Sequence, residues 1–344
     1  MSPSHCPEVL IEVTRGSKGN EHIENIHYGS VAVVDPTGKL LHYAGDPDWM
    51  TFSRSTIKPF QATPFITDGG MAEFKLSLEE VALLCASHSG EAFHLRGVES
   101  ILQKAGASAS QLKCGCHTPM MFSTLNKTPP PDAQWNAIHN NCSGKHAGFL
   151  AWCNLNDKLT ETYLEYEHPL QHAIRRSLSI WCNEKVENFL VGTDGCSAPN
   201  YALPLKSLAT GYARLASTKG GGTAKTLFDA MTIHPEYVSG TGRHDLAFMK
   251  AGVKENHPDW VAKIGADGVQ LIGIRSAGLG IAVKVVDGNQ RAVIAATVEV
   301  LRQLGVLDNI ESSPLADWAS PKITNVMGTE TGRVRAAFSL KKAS

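Results

Sequence analysis

The 344-residue chain has an ordinary globular composition, with 42% hydrophobic and 19% charged residues, which favours a folded protein with a substantial core. Its formal net charge of -1 gives no sign of the clustered Lys and Arg that bind nucleic acid or an anionic membrane. No apolar run is long enough to span a membrane, and the N-terminus lacks the features of a signal peptide. We therefore expect a cytoplasmic protein whose partners are small molecules or a second copy of the chain.

Segments typical of β-strands stand at both ends of the sequence. Residues 9–13, 30–34 and 40–43 are predicted strands, the last two forming a hairpin around Asp35-Pro36-Thr37-Gly38. Far downstream, residues 268–274 and 280–286 are again β-rich, and a helical pattern follows over 292–304.

The middle of the chain is mostly helical in pattern. Its clearest helix start is Ser77, which can act as N-cap with Glu80 three residues later. Further helices are predicted over 91–104, 144–152, 169–181, 205–215, 223–231 and 244–251. This order predicts an α+β fold in which the N- and C-terminal segments share one antiparallel sheet and the central segment packs on it as a helical region. We expect 1–344 to be a single compact catalytic unit, with an α/β region from 1–75 plus 255–344 and a mostly helical region over 76–254.

Ser55 and Lys58 form a Ser-x-x-Lys pair, a spacing that also occurs by chance at Ser110 and Ser339. Pro59 is tolerated only in the first turn of a helix, so it predicts a helix start that places Ser55 and Lys58 on one face. Lys58 could then accept the serine proton, provided that burial or a neighbouring cation lowers its pKa. The alternative is that Ser55 caps the helix and Lys58 is solvated.

Three other loops place Ser, Cys, Lys or Asp beside apolar segments, over 85–91, 140–148 and 192–199. Each alone is typical of a turn or a helix cap. Together with the loop at Ser55 they are what a site built from loops on a rigid scaffold requires.

These loops resemble the amidohydrolase family of asparaginases typified by rhizobial enzymes, which differ from the asparaginases that use threonine nucleophiles. The resemblance runs over nearly the whole chain and implies a fold similar to serine β-lactamases and glutaminases. Its carriers, in chain order, are RSTIKPFQ (54–61), ASHSGE (86–91), CGCHTP (114–119), HNNCSGKHAGFL (139–150), GTDGCSAP (192–199) and SGTGRHD (239–245).

The resemblance implies hydrolysis of the side-chain amide of L-asparagine to L-aspartate and ammonia through an acyl-enzyme. Ser55 would be the nucleophile with Lys58 as its base, and Ser87 would pair with Lys263 as a second Ser-Lys tandem. A second ammonium near Lys58 would lower the pKa of Lys58 by like-charge repulsion.

The resemblance also implies a zinc ion and a homodimer. The metal would be held near the site by Cys142, Lys145 and Cys196, with Asp194 close by. Because a neutral lysine is an unusual ligand, we expect zinc to depend on pH and to modulate binding without being essential to the chemistry. Arg54, Asp194 and Arg243 are the residues expected to contact the substrate.

Three other functions stay open. The Ser-Asp-Asn and Lys-Thr-Gly motifs of penicillin-recognising enzymes are absent, which disfavours a β-lactamase. Glutaminase is the closest rival, because glutamine differs from asparagine by one methylene, which a pocket discriminates by about 1–3 kcal/mol. A non-catalytic amino-acid-binding or zinc-binding module is the third, although binding alone needs no nucleophile.

Overall fold

The structure is a computed structural model that describes residues 6–16, 19–217, 221–307 and 309–343. The strands are β1 (Glu8–Arg15), β2 (His22–Val34), β3 (Leu40–Ala44), β4 (Met50–Phe52), β5 (Leu190–Thr193), β6 (Pro199–Pro204), β7 (Val253–Lys254), β8 (His257–Pro258), β9 (Trp260–Gly265), β10 (Val269–Ile274), β11 (Leu279–Val285), β12 (Lys322–Thr324), β13 (Glu330–Ala336) and β14 (Lys341–Lys342).

The α-helices are α1 (Lys58–Thr67), α2 (Gly70–Glu73), α3 (Leu78–Leu84), α4 (Ala92–Lys104), α5 (Met120–Thr124), α6 (Ser143–Leu155), α7 (Pro169–Cys182), α8 (Leu205–Ala216), α9 (Gly222–Ile233), α10 (Pro235–Val238), α11 (His244–Ala251), α12 (Gln290–Gln303) and α13 (Ala316–Ala319). Short 3-10 helices lie at Arg54–Ile57, Ala109–Gln111, Ala137–His139 and Val186–Asn188.

The main sheet joins the two ends of the chain, with strand order β12-β13-β1-β2-β11-β10-β9 and with β3 pairing both β2 and β14. Every pairing in it is antiparallel. The predicted α+β fold, with an antiparallel sheet built from N- and C-terminal segments, is therefore confirmed. The division into a sheet region and a helical region stays a prediction.

Helix α8 lies directly on the buried centre of this sheet. A Cβ on Gly280 of β11 would come within 2.0 Å of the Ala209 carbonyl oxygen, so glycine is what permits this close approach. Helix α12 also packs against β10 and β11. The strands β10 and β9 are buried along their whole length, and β9 thereby holds its side chains rigidly beside the helical region.

The helical middle is centred on α1, which packs against α6 and α7. The predicted capping box at the start of α3 is present: Ser77 Oγ accepts from the Glu80 N–H and the Glu80 carboxylate accepts from the Ser77 N–H. Within the described ranges no helix is long and apolar enough to cross a membrane. The glycine run at 220–222 lies partly outside the described residues, and Gly222 begins α9.

Candidate active site

Ser55 and Ser87 line one cavity of about 250 Å³, here called the serine cavity. The other polar or small groups on its wall include Asn141, Arg243 and Gly265. The wall therefore combines the 3-10 helix before α1, the loop between α3 and α4, the segment before α11 and the end of β9. The structure brings together loops that lie far apart in the sequence.

Ser55 lies inside the 3-10 helix Arg54–Ile57 and caps neither this helix nor α1, whose N-cap positions are Ser53 and Ile57. Among the hydrogen bonds of the described residues, none involves the Ser55 hydroxyl. The preceding residue, Arg54, has a positive φ of 49°, a conformation that costs about 1–3 kcal/mol for a non-glycine residue. The Asn200 side chain holds this backbone by bonding both the N–H (3.2 Å) and the carbonyl (3.3 Å) of Arg54. Ser55 is thus presented to the cavity at a strained turn.

The Lys58 side chain is fully buried, which rules out the solvated alternative. Its Nζ donates to Ser87 Oγ at 2.9 Å, to Cys142 Sγ at 3.2 Å and to the Ala86 carbonyl. The Lys58 backbone N–H donates to the Ser55 carbonyl. In this arrangement Lys58 contacts the second serine of the predicted site through its side chain and the first only through its backbone.

Lys263 is also fully buried and extends from β9. Its Nζ donates to Asp245 Oδ2 at 3.2 Å and to the Ile264 carbonyl at 2.9 Å. Burial lowers the pKa of Lys263 to about 8, Asp245 opposes this shift, and Lys58 reinforces it. In the described part of the chain no direct hydrogen bond joins Lys263 to Ser87, so the expected Ser87–Lys263 tandem stays a prediction.

The two arginines expected at the substrate differ in their partners. Arg54 donates to Asp194 Oδ1 at 2.8 Å and also pairs with Asp267, so its charge is neutralised by protein carboxylates. Arg243 is 7% exposed and lines the serine cavity. Its hydrogen bond within the described residues is a weak one, from Nη1 to the Met120 thioether at 3.4 Å. Arg243 is therefore a buried cation without a carboxylate in contact.

The residues expected to bind zinc form a buried group, here called the thiol cluster: Cys142, Lys145 and Cys196. Lys145 Nζ lies 3.0 Å from Cys196 Sγ. A hydrogen bond from Cys142, reinforced by the Lys145 ammonium, lowers the pKa of Cys196 well below its usual range. Burial alone would lower the pKa of Lys145, but Cys196 and Cys142 raise it above its usual value. Asp194 is close enough to act on Lys145 in the same direction.

The donor set fits a soft metal ion. Two thiols and a lysine converge from the start of α6 and from the β5–β6 loop. Nearby, the buried His146 ring lies against Cys196, and its Nδ1 bonds the Tyr163 hydroxyl at 2.7 Å. No group of three or more His, Cys, Asp or Glu side chains in the described ranges could hold a metal. A metal in the thiol cluster would therefore need Lys145 in its neutral form as the third ligand.

Sequence reasoning missed Asp245, Asn141 and Gln290, which contact Lys263 or line the serine cavity. Asp245 and Asn141 stand inside the quoted motifs SGTGRHD and HNNCSGKHAGFL, but no pattern in those motifs gives them a role. Gln290, at the start of α12, has no sequence signal.

Comparison with known proteins gives one family match. The model of a family described as L-asparaginase II matches residues 11–336. Comparison with curated proteins finds no match.

Among solved structures, Mglu in its native form matches at 16% identity and a TM-score of 0.45, over 80% of this chain and 64% of that chain. Mglu in its glutamate form matches at 19% identity and a TM-score of 0.38, over 82% and 62%. A β-lactamase from Mycobacterium bovis matches at 12% identity and a TM-score of 0.31, over 80% and 94%.

The chain spans less than two thirds of the length of these two Mglu structures. Because the TM-scores of all three matches are low, these similarities say nothing about the chemistry of the chain. The family model, by contrast, covers nearly the whole chain and confirms the resemblance found in the sequence motifs. The chain belongs to the L-asparaginase II family.

Proposed function

We propose that this protein hydrolyses the side-chain amide of L-asparagine to L-aspartate and ammonia through a serine acyl-enzyme with Ser55 as nucleophile. The observation that carries the proposal is the serine cavity itself. Its wall carries Ser55, whose hydroxyl has no hydrogen-bond partner among the described residues, and Ser87, which accepts from the buried Lys58, in a chain of the L-asparaginase II family. A nucleophile beside a buried amine is the arrangement that acyl transfer requires.

The first half of the reaction forms an ester. Ser55 Oγ would attack the carboxamide carbon while its proton passes to neutral Lys58, and the C–N bond would then break as the nitrogen receives a proton and leaves as ammonia. In the second half, water would attack the ester carbon, and the Ser55 oxygen would leave with a proton. Aspartate is released and the serine hydroxyl is restored.

Lys58, Ser87 and Lys263 would carry the protons. Lys58 would accept the Ser55 proton as general base. Ser87 Oγ, 2.9 Å from Lys58 Nζ, can pass a proton from that amine to the departing nitrogen. Lys263, with a pKa of about 8, keeps an ammonium on this side of the cavity at neutral pH.

Arg243 would bind the α-carboxylate of the substrate. A buried guanidinium that lacks a carboxylate partner is costly, and a bidentate pair with a ligand carboxylate would remove that cost. Arg54 is less suited to this role, because Asp194 and Asp267 already neutralise it. We therefore assign Arg54 and Asp194 to holding the strained turn before Ser55.

Zinc in the thiol cluster would act as a modulator. Bound there, zinc would draw charge from Cys142 and Cys196 and polarise groups in its neighbourhood. Lys58 donates to Cys142 Sγ, so the charge on this sulfur bears on the Lys58 hydrogen bonds. This contact is the route by which occupancy of the cluster would affect substrate binding.

The experiment that tests the function is ammonia release from L-asparagine and L-glutamine, measured side by side with one preparation. Ammonia from asparagine at a kcat/KM at least about tenfold above that for glutamine is the expected result. The opposite preference would make the protein a glutaminase on the same site. Release from neither, with calorimetric binding of either amino acid retained, would support the non-catalytic module instead.

The predicted homodimer and cytoplasmic location belong to this proposal; the homodimer is implied by the family resemblance, and the location is predicted from the sequence pattern alone. Light scattering coupled to gel filtration measures the first, and fractionation of the source cells measures the second.

A further inference from the structure

Asp245 is a fully buried carboxylate in the first turn of α11. Its Oδ2 accepts from Lys263 Nζ at 3.2 Å, and its Oδ1 accepts from the Ile264 N–H at 2.9 Å and from Gln270 Nε2 at 3.4 Å. His244 Nε2, which has no hydrogen-bond partner, lies 3.9 Å from the same Oδ1. One carboxylate therefore ties the start of α11 to both β9 and β10.

Burying the Lys263–Asp245 ion pair costs desolvation free energy, which indicates that the pair has a role other than stabilising the fold. A buried ion pair is often replaceable by apolar side chains without loss of stability, so its presence is weak evidence for a stabilising function. Gln270 is buried with its Oε1 unpartnered, which adds to the cost of the polar cluster. The group that the cluster fixes is the Lys263 ammonium, whose two protein contacts are Asp245 and the Ile264 carbonyl.

We propose that Asp245 is a positioning residue that fixes Lys263 Nζ beside the serine cavity and keeps it an ammonium during turnover. The proposal rests on the function proposed above, which requires an ammonium at Lys263, and it identifies Asp245 as the residue that holds this ammonium in place. Asp245 is not among the described residues that line the serine cavity, and its direct hydrogen bond to a proposed catalytic side chain is the one with Lys263.

The charges around Lys263 explain why a carboxylate is required. Lys58 on α1 and Arg243 before α11 both disfavour its ammonium, as does burial. His244, at the start of α11, has its own pKa lowered by burial to about 4 and is neutral at pH 7. Asp245 is the group that opposes these effects, and its own pKa is lowered by Lys263 against the effect of burial.

The test compares Asp245→Asn with Asp245→Glu and with Gln270→Met. Asparagine keeps the shape but not the charge, and loss of the charge-assisted bond should lower the Lys263 pKa by about one to two units. The basic limb of the kcat profile should move to lower pH by the same amount, with kcat at pH 7 reduced about 2- to 10-fold and KM nearly unchanged. Asp245→Glu should restore the basic limb in part.

Gln270→Met is the matched control, because it removes a donor from the same carboxylate without removing the charge. It should leave the basic limb in place. A folded Asp245→Asn protein whose pH profile coincides with that of Gln270→Met would overturn the proposal, because the role of Asp245 would then be structural only.

A second measurement does not depend on activity. In the wild-type protein with ¹³Cε-labelled lysine, the Lys263 signal, assigned by its loss in Lys263→Arg, should titrate near pH 8 and be cationic at pH 7. A Lys263 signal already neutral at pH 7 refutes the proposal. If the wild-type protein releases no ammonia from asparagine, the proposed function fails, while the same titration repeated in Asp245→Asn still decides whether Asp245 holds Lys263 charged.

Discussion

Replacement of Ser55 by alanine separates a chemical role from a structural one. A helix-capping serine would cost about 0.5–2 kcal/mol of stability on replacement. Ser55 caps no helix, and among the described residues its hydroxyl makes no hydrogen bond. The free energy of unfolding should therefore change by less than about 0.5 kcal/mol. Loss of the nucleophile, by contrast, should lower kcat by about 10⁴-fold or more, equivalent to about 5 kcal/mol of activation free energy.

The assay is ammonia release from asparagine, with thermal melts on the same preparations. Ser110→Ala is the matched control: Ser110 opens the accidental Ser-x-x-Lys and is exposed in the 3-10 helix Ala109–Gln111, so this variant should stay fully active. Ser53→Ala gives the opposite pattern: its hydroxyl is buried and donates to the Tyr201 carbonyl at 2.8 Å, so it should lose about 1 kcal/mol of stability. A folded Ser55→Ala protein with near wild-type turnover would refute the mechanism.

Three other changes probe the remaining parts of the site. Lys58→Met should lower kcat by several orders of magnitude, because no base would remain for Ser55; substantial turnover near neutral pH would assign the base elsewhere. Arg243→Met should raise KM for asparagine about 10- to 100-fold with little change in kcat, and it should remove discrimination against L-asparaginamide, which lacks the α-carboxylate. Arg291→Met, which changes an exposed arginine, is the control. An unchanged KM in Arg243→Met would contradict the assignment. Purified wild-type protein should hold about one zinc per chain, and the Cys196→Ser variant should hold less. If elemental analysis finds no zinc in either protein after zinc loading, the metal assignment is wrong. If chelation abolishes kcat completely and zinc restores it, the protein is a metallohydrolase instead.

The sequence correctly predicted those helices and strands whose positions depend on interactions between residues close together in the chain. The Ser77 and Glu80 capping box marks the start of α3 correctly, and Pro59 correctly indicates a helix start just after Ser55. The predicted strand at 268–274 corresponds to β10, whose side chains are buried throughout. In each case the decisive interaction lies within a few residues of the pattern that predicts it.

The strand β9, which carries Lys263, was not predicted. Its sequence, Trp260–Gly265, contains a charged residue at a fully buried position, which breaks the apolar run typical of a central strand. The strand forms because it pairs along its whole length with β10 and because Asp245 accepts the Lys263 charge. Asp245 stands 18 residues earlier on another element, so no local pattern could reveal that the charge is accommodated.

Contacts between residues far apart in the sequence also determine the charge of the site. Of the residues that the structure describes, four buried basic side chains surround the serine cavity and the thiol cluster: Lys58, Lys145, Arg243 and Lys263. Two of them have an anionic partner, because Cys196 lies against Lys145 and Asp245 lies against Lys263. For the other two, neutral Lys58 can serve as a base without a counter-ion, and Arg243 is neutralised when a substrate carboxylate enters. A ligand without a carboxylate would leave Arg243 unpaired, and this cost would select free amino acids over simple amides.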